Sequence, residues 1–85
     1  MDVLKQNDLI IVVPTTANFM AKIAHGLADD LATNIILATS NKIILAPSMN
    51  PMMWSNPATQ NNIQILKNRG IEFIQPDDGY MACGE

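Results

Sequence analysis

The sequence holds one cysteine, one histidine and five basic residues in 85, and each scarcity removes a class of function. A single thiol, Cys83, excludes an internal disulfide and a multi-cysteine metal site, and fits a reducing cytosol. The basic residues are scattered from Lys5 to Arg69 within a net charge of −3, so no basic stripe follows a phosphate backbone or an anionic membrane. Nucleic acid and membrane are therefore not expected partners. No apolar run approaches the ~20 residues of a membrane span, and Met1-Asp2-Val3-Leu4-Lys5 lacks the basic-then-apolar order of a secretory signal. The expected location is cytoplasmic. Internal repeats, low-complexity segments and linkers are also missing.

What is present is material for one small core. The hydrophobic share is 48%, within the globular range. Leu9-Ile10-Ile11-Val12-Val13, ended by Pro14, reads as a strand buried on both faces, the kind found in parallel sheets. Phe19, Met20, Ile23 and Ala24 then recur at helical spacing, with Thr15, Thr16 and Asn18 as candidate caps. Gly26 interrupts this helix. Asp29-Asp30, read as cap and first turn, opens a second apolar run from Leu31 to Ala38, either a second helix or a kinked continuation.

Thr39-Ser40-Asn41 turns the chain into a second strand, Lys42 to Ala46, which Pro47 is expected to end because it cannot donate to a ladder. Asn56-Pro57 is a helix start, with Asn as cap and Pro at the first helical position. That helix directs Ile63 and Leu66 inward, places Lys67 and Arg69 in its last turn and stops at Gly70. Ile71-Glu72-Phe73-Ile74 makes a third strand, ended by Pro76. The order is β-α-β-α-β, part of a three-layer Rossmann-like (flavodoxin-like) doubly wound parallel sheet. Three strands are too few to cover both faces of such a sheet, so residues 1–85 are expected to form a partial domain, truncated at both ends.

Open α/β sheets bind ligands outside the carboxyl ends of their strands. The segment there after the second strand, Ser48-Met49-Asn50, carries a neutral amide. Read alone, Asn50 is a turn-forming loop residue; Thr16 and Asn18 are caps; Cys83 is a small apolar filler. His25, without an identifiable partner, reads as helix surface. Met49, Met52, Met53 and Trp54 read as packing against the sheet or a neighbouring subunit rather than as a soft-metal box, since no histidine accompanies them.

Val13-Pro14-Thr15-Thr16-Ala17-Asn18-Phe19, Lys22-Ile23-Ala24-His25-Gly26-Leu27-Ala28-Asp29-Asp30-Leu31, Pro47-Ser48-Met49-Asn50-Pro51-Met52-Met53-Trp54 and Ala82-Cys83-Gly84 together resemble the phosphopantothenoylcysteine decarboxylases, a group of FMN-dependent cysteine decarboxylases. The resemblance covers nearly the whole chain but only about the second half of the family's flavoprotein domain. It implies oxidation of the substrate's cysteine-derived thiol by FMN, loss of carbon dioxide from the resulting thioaldehyde and reduction of the enethiol. Thr16, Ala17, Asn18, Phe19 and Ser48 then match the flavin-binding positions, Ser48 where the family often has alanine. Asn50 matches the residue that binds the substrate carboxylate, with Met49, Ala82 and Cys83 also against substrate. Cys83 matches the acid that protonates the enethiolate; a thiol of ordinary pKa, ~8.5, remains mostly protonated at neutral pH. His25 does not match the family's catalytic histidine, which would fall immediately before Met1.

The resemblance further implies a homo-oligomer built on trimers, or a complementary upstream fragment. Two alternatives carry different functions: a non-catalytic flavin-binding or regulatory fragment or decayed gene product, and a related flavoprotein such as a peptidyl-cysteine decarboxylase. The Met-Asn loop followed by Ala-Cys-Gly argues against a flavin prenyltransferase.

Overall fold

The computed structural model describes residues 2–74 apart from Asn7. The Ala82-Cys83-Gly84 segment lies outside the described residues, as does Pro76. The elements are β1 (Asp2–Gln6), β2 (Leu9–Thr15), α1 (Ala17–Ala24), α2 (Leu31–Ala38), β3 (Lys42–Pro47), α3 (Pro51–Ser55), α4 (Pro57–Asn68) and β4 (Glu72–Phe73). They form one α/β unit whose sheet has the order β1-β2-β3-β4.

β2, β3 and β4 run parallel, as the strand-helix alternation requires. β1 pairs antiparallel with β2, from Asp2 opposite Val13 to Gln6 opposite Leu9. The sheet is therefore mixed, and the expectation of a purely parallel piece is corrected at this edge. β1 has too few apolar residues to announce itself locally, and pairing with β2 makes it a strand.

β2 also continues past Pro14. Pairing is regular from Leu9 opposite Lys42 to Val12 opposite Leu45, then skips to Thr15 opposite Pro47. Pro14 falls within this irregularity, where a missing N–H disturbs the ladder least; the Val13–Pro14 peptide is cis. Thr15 is completely buried, and its hydroxyl donates to the Val12 carbonyl oxygen at 2.8 Å, tying the two sides of the bulge together. β3 likewise includes Pro47 as its last, buried residue.

The core lies on one face of this sheet. Ile10, Val12, Ile43 and Leu45 meet Phe19, Met20, Ile23 and Ala24 of α1, Ile36 of α2, and Ile63 and Leu66 of α4. Each fully buried aliphatic side chain contributes roughly 1.5–3 kcal/mol. The alternate residues point away. Leu9, Ile11, Ile44 and Ala46 are half-buried, and Leu4, Val13 and Ile74 are exposed. No described helix contributes to that second face, so β2 and β3 are not buried on both sides among the described residues.

The helix ends follow local chemistry. Asp30 caps α2, with its carboxylate accepting the Thr33 N–H at 2.8 Å while the Asp30 N–H donates to the Thr33 hydroxyl. The Thr33 N–H, then the Thr33 hydroxyl and the nearby Lys22 ammonium, hold the Asp30 carboxyl below its ordinary pKa against a small opposing effect of desolvation. Asp29 precedes the cap rather than serving as it, and pairs with Lys22 at 3.0 Å. α4 starts at Asn56-Pro57 as expected, and the chain leaves it through Gly70, whose φ of 90° suits glycine.

α1 and α4 are joined at their carboxyl ends. Arg69 donates from Nη1 to the Ile23 carbonyl oxygen at 2.8 Å and from Nη2 to that of Ala24 at 2.6 Å. These carbonyls belong to the last turn of α1, where helical partners run out; that of Ile23 also accepts the Gly26 N–H at 3.4 Å. Beside them, His25 Nε2 and Asn62 Oδ1 lie 3.0 Å apart. His25 thus has a partner that spacing along the sequence cannot show.

Candidate functional site

β2 and β3 deliver their following turns to one place. Thr15 pairs with Pro47, and one residue later the Ser48 N–H donates to the Thr15 carbonyl oxygen at 3.1 Å. The turn at Thr16–Phe19 and the turn at Ser48–Asn50 are therefore neighbours at the carboxyl end of the parallel strands. This is where an open α/β sheet presents polar groups to a ligand.

In the first turn, Thr16 is the cap of α1, and its Oγ1 accepts the Phe19 N–H at 3.1 Å. Ala17 and Asn18 occupy the first two helical positions, where backbone N–H groups have no intrahelical acceptor. Those donors, with the positive end of α1, suit an anionic group. Asn18 is exposed. Phe19 is 3% exposed and packs within the core, so its ring anchors the turn from beneath and its N–H is already engaged by Thr16.

In the second turn, Ser48 and Met49 are half-buried and Asn50 is exposed. Met49 packs against the core together with Trp54, whereas Met52 and Met53 are 82% and 46% exposed. Asn50 has extended backbone angles, φ −70° and ψ 161°, and caps the five-residue helix α3. Its Oδ1 accepts the Met53 N–H at 2.8 Å. It is a cap rather than a left-handed loop residue, because Pro51 and the two residues after it form a helical turn instead of a loop.

The structure brings Thr16, Ala17, Asn18, Ser48, Met49 and Asn50 to the same end of the sheet. Ala82 and Cys83 lie outside the described residues. Thr15 escaped the sequence reading as a site-shaping residue; its one local signal is the hydroxyl doublet Thr15-Thr16 after a proline. A second cleft, of about 290 Å³, lies elsewhere, bounded by Thr39, Ser40, Asn41, Lys42, Arg69 and Gly70. Those residues precede β3 and β4, at the opposite end of the strands. Among the described residues no cluster of three or more His, Cys, Asp or Glu side chains could hold a metal, and no helix is long and apolar enough to cross a membrane.

Comparison with known proteins shows the family and the fold. The family model described as Flavoprotein matches residues 1–85. The coenzyme A biosynthesis bifunctional protein of Bacillus subtilis is 48% identical over 77 residues, covering 91% of this chain and 19% of that protein. The probable phosphopantothenoylcysteine decarboxylase of Streptococcus mutans is 43% identical over 83 residues, covering 95% of this chain and 46% of that protein. Among solved structures, a cysteine-to-serine mutant of phosphopantothenoylcysteine decarboxylase complexed with pantothenoylaminoethenethiol superposes with a TM-score of 0.83 at 39% identity, covering 92% of this chain and 44% of that one. The chain thus spans about a fifth of the bifunctional relative and less than half of the other two.

Proposed function

This chain belongs to the Flavoprotein family, and from that premise we propose that it forms part of an FMN-dependent decarboxylase converting phosphopantothenoylcysteine to phosphopantetheine in coenzyme A biosynthesis. The observation that carries the proposal is the adjacency of the Thr16 and Ser48–Asn50 turns at the carboxyl end of β2 and β3. One turn offers backbone donors at a helix start and the other a neutral amide.

When bound, FMN supplies the two-electron oxidation of the substrate's cysteine-derived thiol and the later return of those electrons. The chain's own residues bind and orient. The N–H groups of Ala17 and Asn18, the hydroxyls of Thr16 and Ser48 and the backbone around Phe19 hold the flavin, a set that fits an anionic cofactor because it is rich in donors and carries no carboxylate. Asn50 donates to the substrate carboxylate through Nδ2, beside Met49. An arginine or lysine in its place would stabilise the carboxylate before its loss and so oppose the reaction. Cys83, with Ala82 beside it, gives the proton that completes the reduced product.

The protein is read as a partial domain, residues 1–85, in the cytoplasm. It assembles as a trimer-based homo-oligomer or with a complementary upstream segment that carries the catalytic histidine. The sheet face around Ile11 and Ile44, which no described helix covers, supports this, since parallel strands such as β2 and β3 are found with both faces covered.

The test is reconstitution. The chain mixed with the upstream half of a flavoprotein domain is expected to take up FMN, giving a flavin absorbance band that co-elutes with protein, and to release carbon dioxide from phosphopantothenoylcysteine. Failure to retain flavin with any upstream half would overturn the reading. Retention of flavin without carbon dioxide release would leave a flavin-binding protein and refute the decarboxylase.

A further inference from the structure

The Asn50 amide has two chemically opposite ends, and the fold has already used one. Its Oδ1 accepts the Met53 N–H at 2.8 Å. A backbone N–H can be met only by the oxygen, so the choice between the two amide orientations is made by the chain before any ligand arrives. Nδ2 donates to no other group among the described residues. It is the end left for a ligand.

Resting on the carboxylate-binding role of Asn50 given above, we propose that the Met53 backbone N–H is a positioning group for decarboxylation. It locks the Asn50 amide with its NH2 outward, so that an incoming carboxylate meets two donors and no acceptor. Without that lock the amide turns over, and for part of the time it presents an oxygen that repels the carboxylate. The first turn of helix α3 holds this side chain in one orientation, while Trp54 at its far end packs against the core. Specificity follows from the same lock, because a donor-free carboxylate is accepted on both hydrogens whereas a carboxamide must turn its own NH2 away.

The test uses the FMN-loaded, fully assembled protein and separates the lock from the contact. Asn50→Ser keeps a cap acceptor for Met53 but lacks the NH2. Met53→Pro keeps Asn50 but removes the N–H; because proline also biases Met52 away from helical angles, a packing readout must accompany it. Trp54, the sole tryptophan, is half-buried against the core and reports by its emission whether the turn has kept its packing. With emission unchanged, Met53→Pro is expected to raise KM for phosphopantothenoylcysteine roughly threefold to tenfold, the worth of one hydrogen bond. It also narrows the preference for the acid over its carboxamide, while kcat changes less.

A raised KM in Asn50→Ser with an unchanged KM in Met53→Pro would refute the lock and leave the carboxylate contact standing. Unchanged KM in both would refute the contact itself. If proline disrupts the turn, Asn50→Asp provides the second measurement. The Met53 N–H then stabilises the introduced carboxylate, which in substrate-free protein titrates below the ordinary aspartate value of about 3.9 by NMR. Titration at or above that value would overturn the proposal.

Discussion

Ser48 donates its backbone N–H to the Thr15 carbonyl oxygen at 3.1 Å, one step beyond the last strand pair, and so fixes the spacing of the two turns that build the site. Thr15 is itself held by its hydroxyl, which donates to Val12 across the bulge in β2. A residue with no ligand contact thus shapes the ligand site.

Thr15→Val keeps the side-chain volume but leaves the Val12 carbonyl oxygen without this buried donor. Stability is expected to fall by about 1–2 kcal/mol in urea denaturation followed by Trp54 emission. Flavin affinity of the assembled protein falls with it. A variant as stable as the parent would show that the hydroxyl does not hold the bulge.

Thr16→Ala removes the cap of α1 and is expected to cost about 1 kcal/mol, whereas Thr16→Ser retains it. If Thr16 also meets the flavin, Thr16→Ala weakens FMN binding in equilibrium titration and Thr16→Ser does so much less. Equal flavin binding by all three proteins would confine Thr16 to capping.

Arg69→Gln removes the forked donor from the Ile23 and Ala24 carbonyl oxygens. The expected loss is about 1–3 kcal/mol by chemical denaturation, reflecting charged hydrogen bonds at a partly wet site. Arg69→Lys recovers only part of it, since one ammonium cannot reproduce the planar fork. Full recovery by lysine would show that charge rather than geometry matters.

The Asp30 cap gives stability a pH dependence of definite sign. Its carboxyl is held below the ordinary value in the folded chain, so the unfolded chain takes up the proton first as pH falls. The contribution is complete above the unfolded-state value and is lost as pH drops through the folded-state value. Asp30→Asn keeps a capping acceptor without this titration. The difference in melting temperature between parent and variant is expected to shrink from neutral pH to pH 3; a constant difference would contradict it.

Ile11→Lys places a charge on the sheet face that no described helix covers, away from the core. In the isolated chain it is expected to reduce self-association in sedimentation without lowering the melting temperature appreciably. In the reconstituted domain the same variant weakens assembly with the upstream half. Stronger or equal assembly would show that this face is not where the other half sits.

The legible parts of the sequence were those whose signals are local. Asn56-Pro57 and Gly70 bracket α4, the apolar spacing of Phe19, Met20, Ile23 and Ala24 marks the buried stripe of α1, and the runs at Leu9 and Ile43 mark two parallel strands. α3 was hidden because five residues are too few to show a helical period, so Asn50 read as loop rather than cap. β1 was hidden because its strand state depends on β2 rather than on Asp2-Val3-Leu4-Lys5-Gln6 themselves. Pro47 does close β3, whereas Pro14, by its chemistry a strand terminator, is accommodated by a bulge and β2 runs on to Thr15. The Arg69 and Asn62 contacts with α1 lie across the fold and have no footprint in spacing.

The clamp between the carboxyl ends of α1 and α4 sits at the opposite end of both helices from Thr16 and from the segment that begins at Asn50. The gap between the two turns is set by the Ser48 bond to Thr15, while the Arg69 clamp moors the far ends of the helices that follow them. The site is thus steadied from a distance by a side chain that sits outside it.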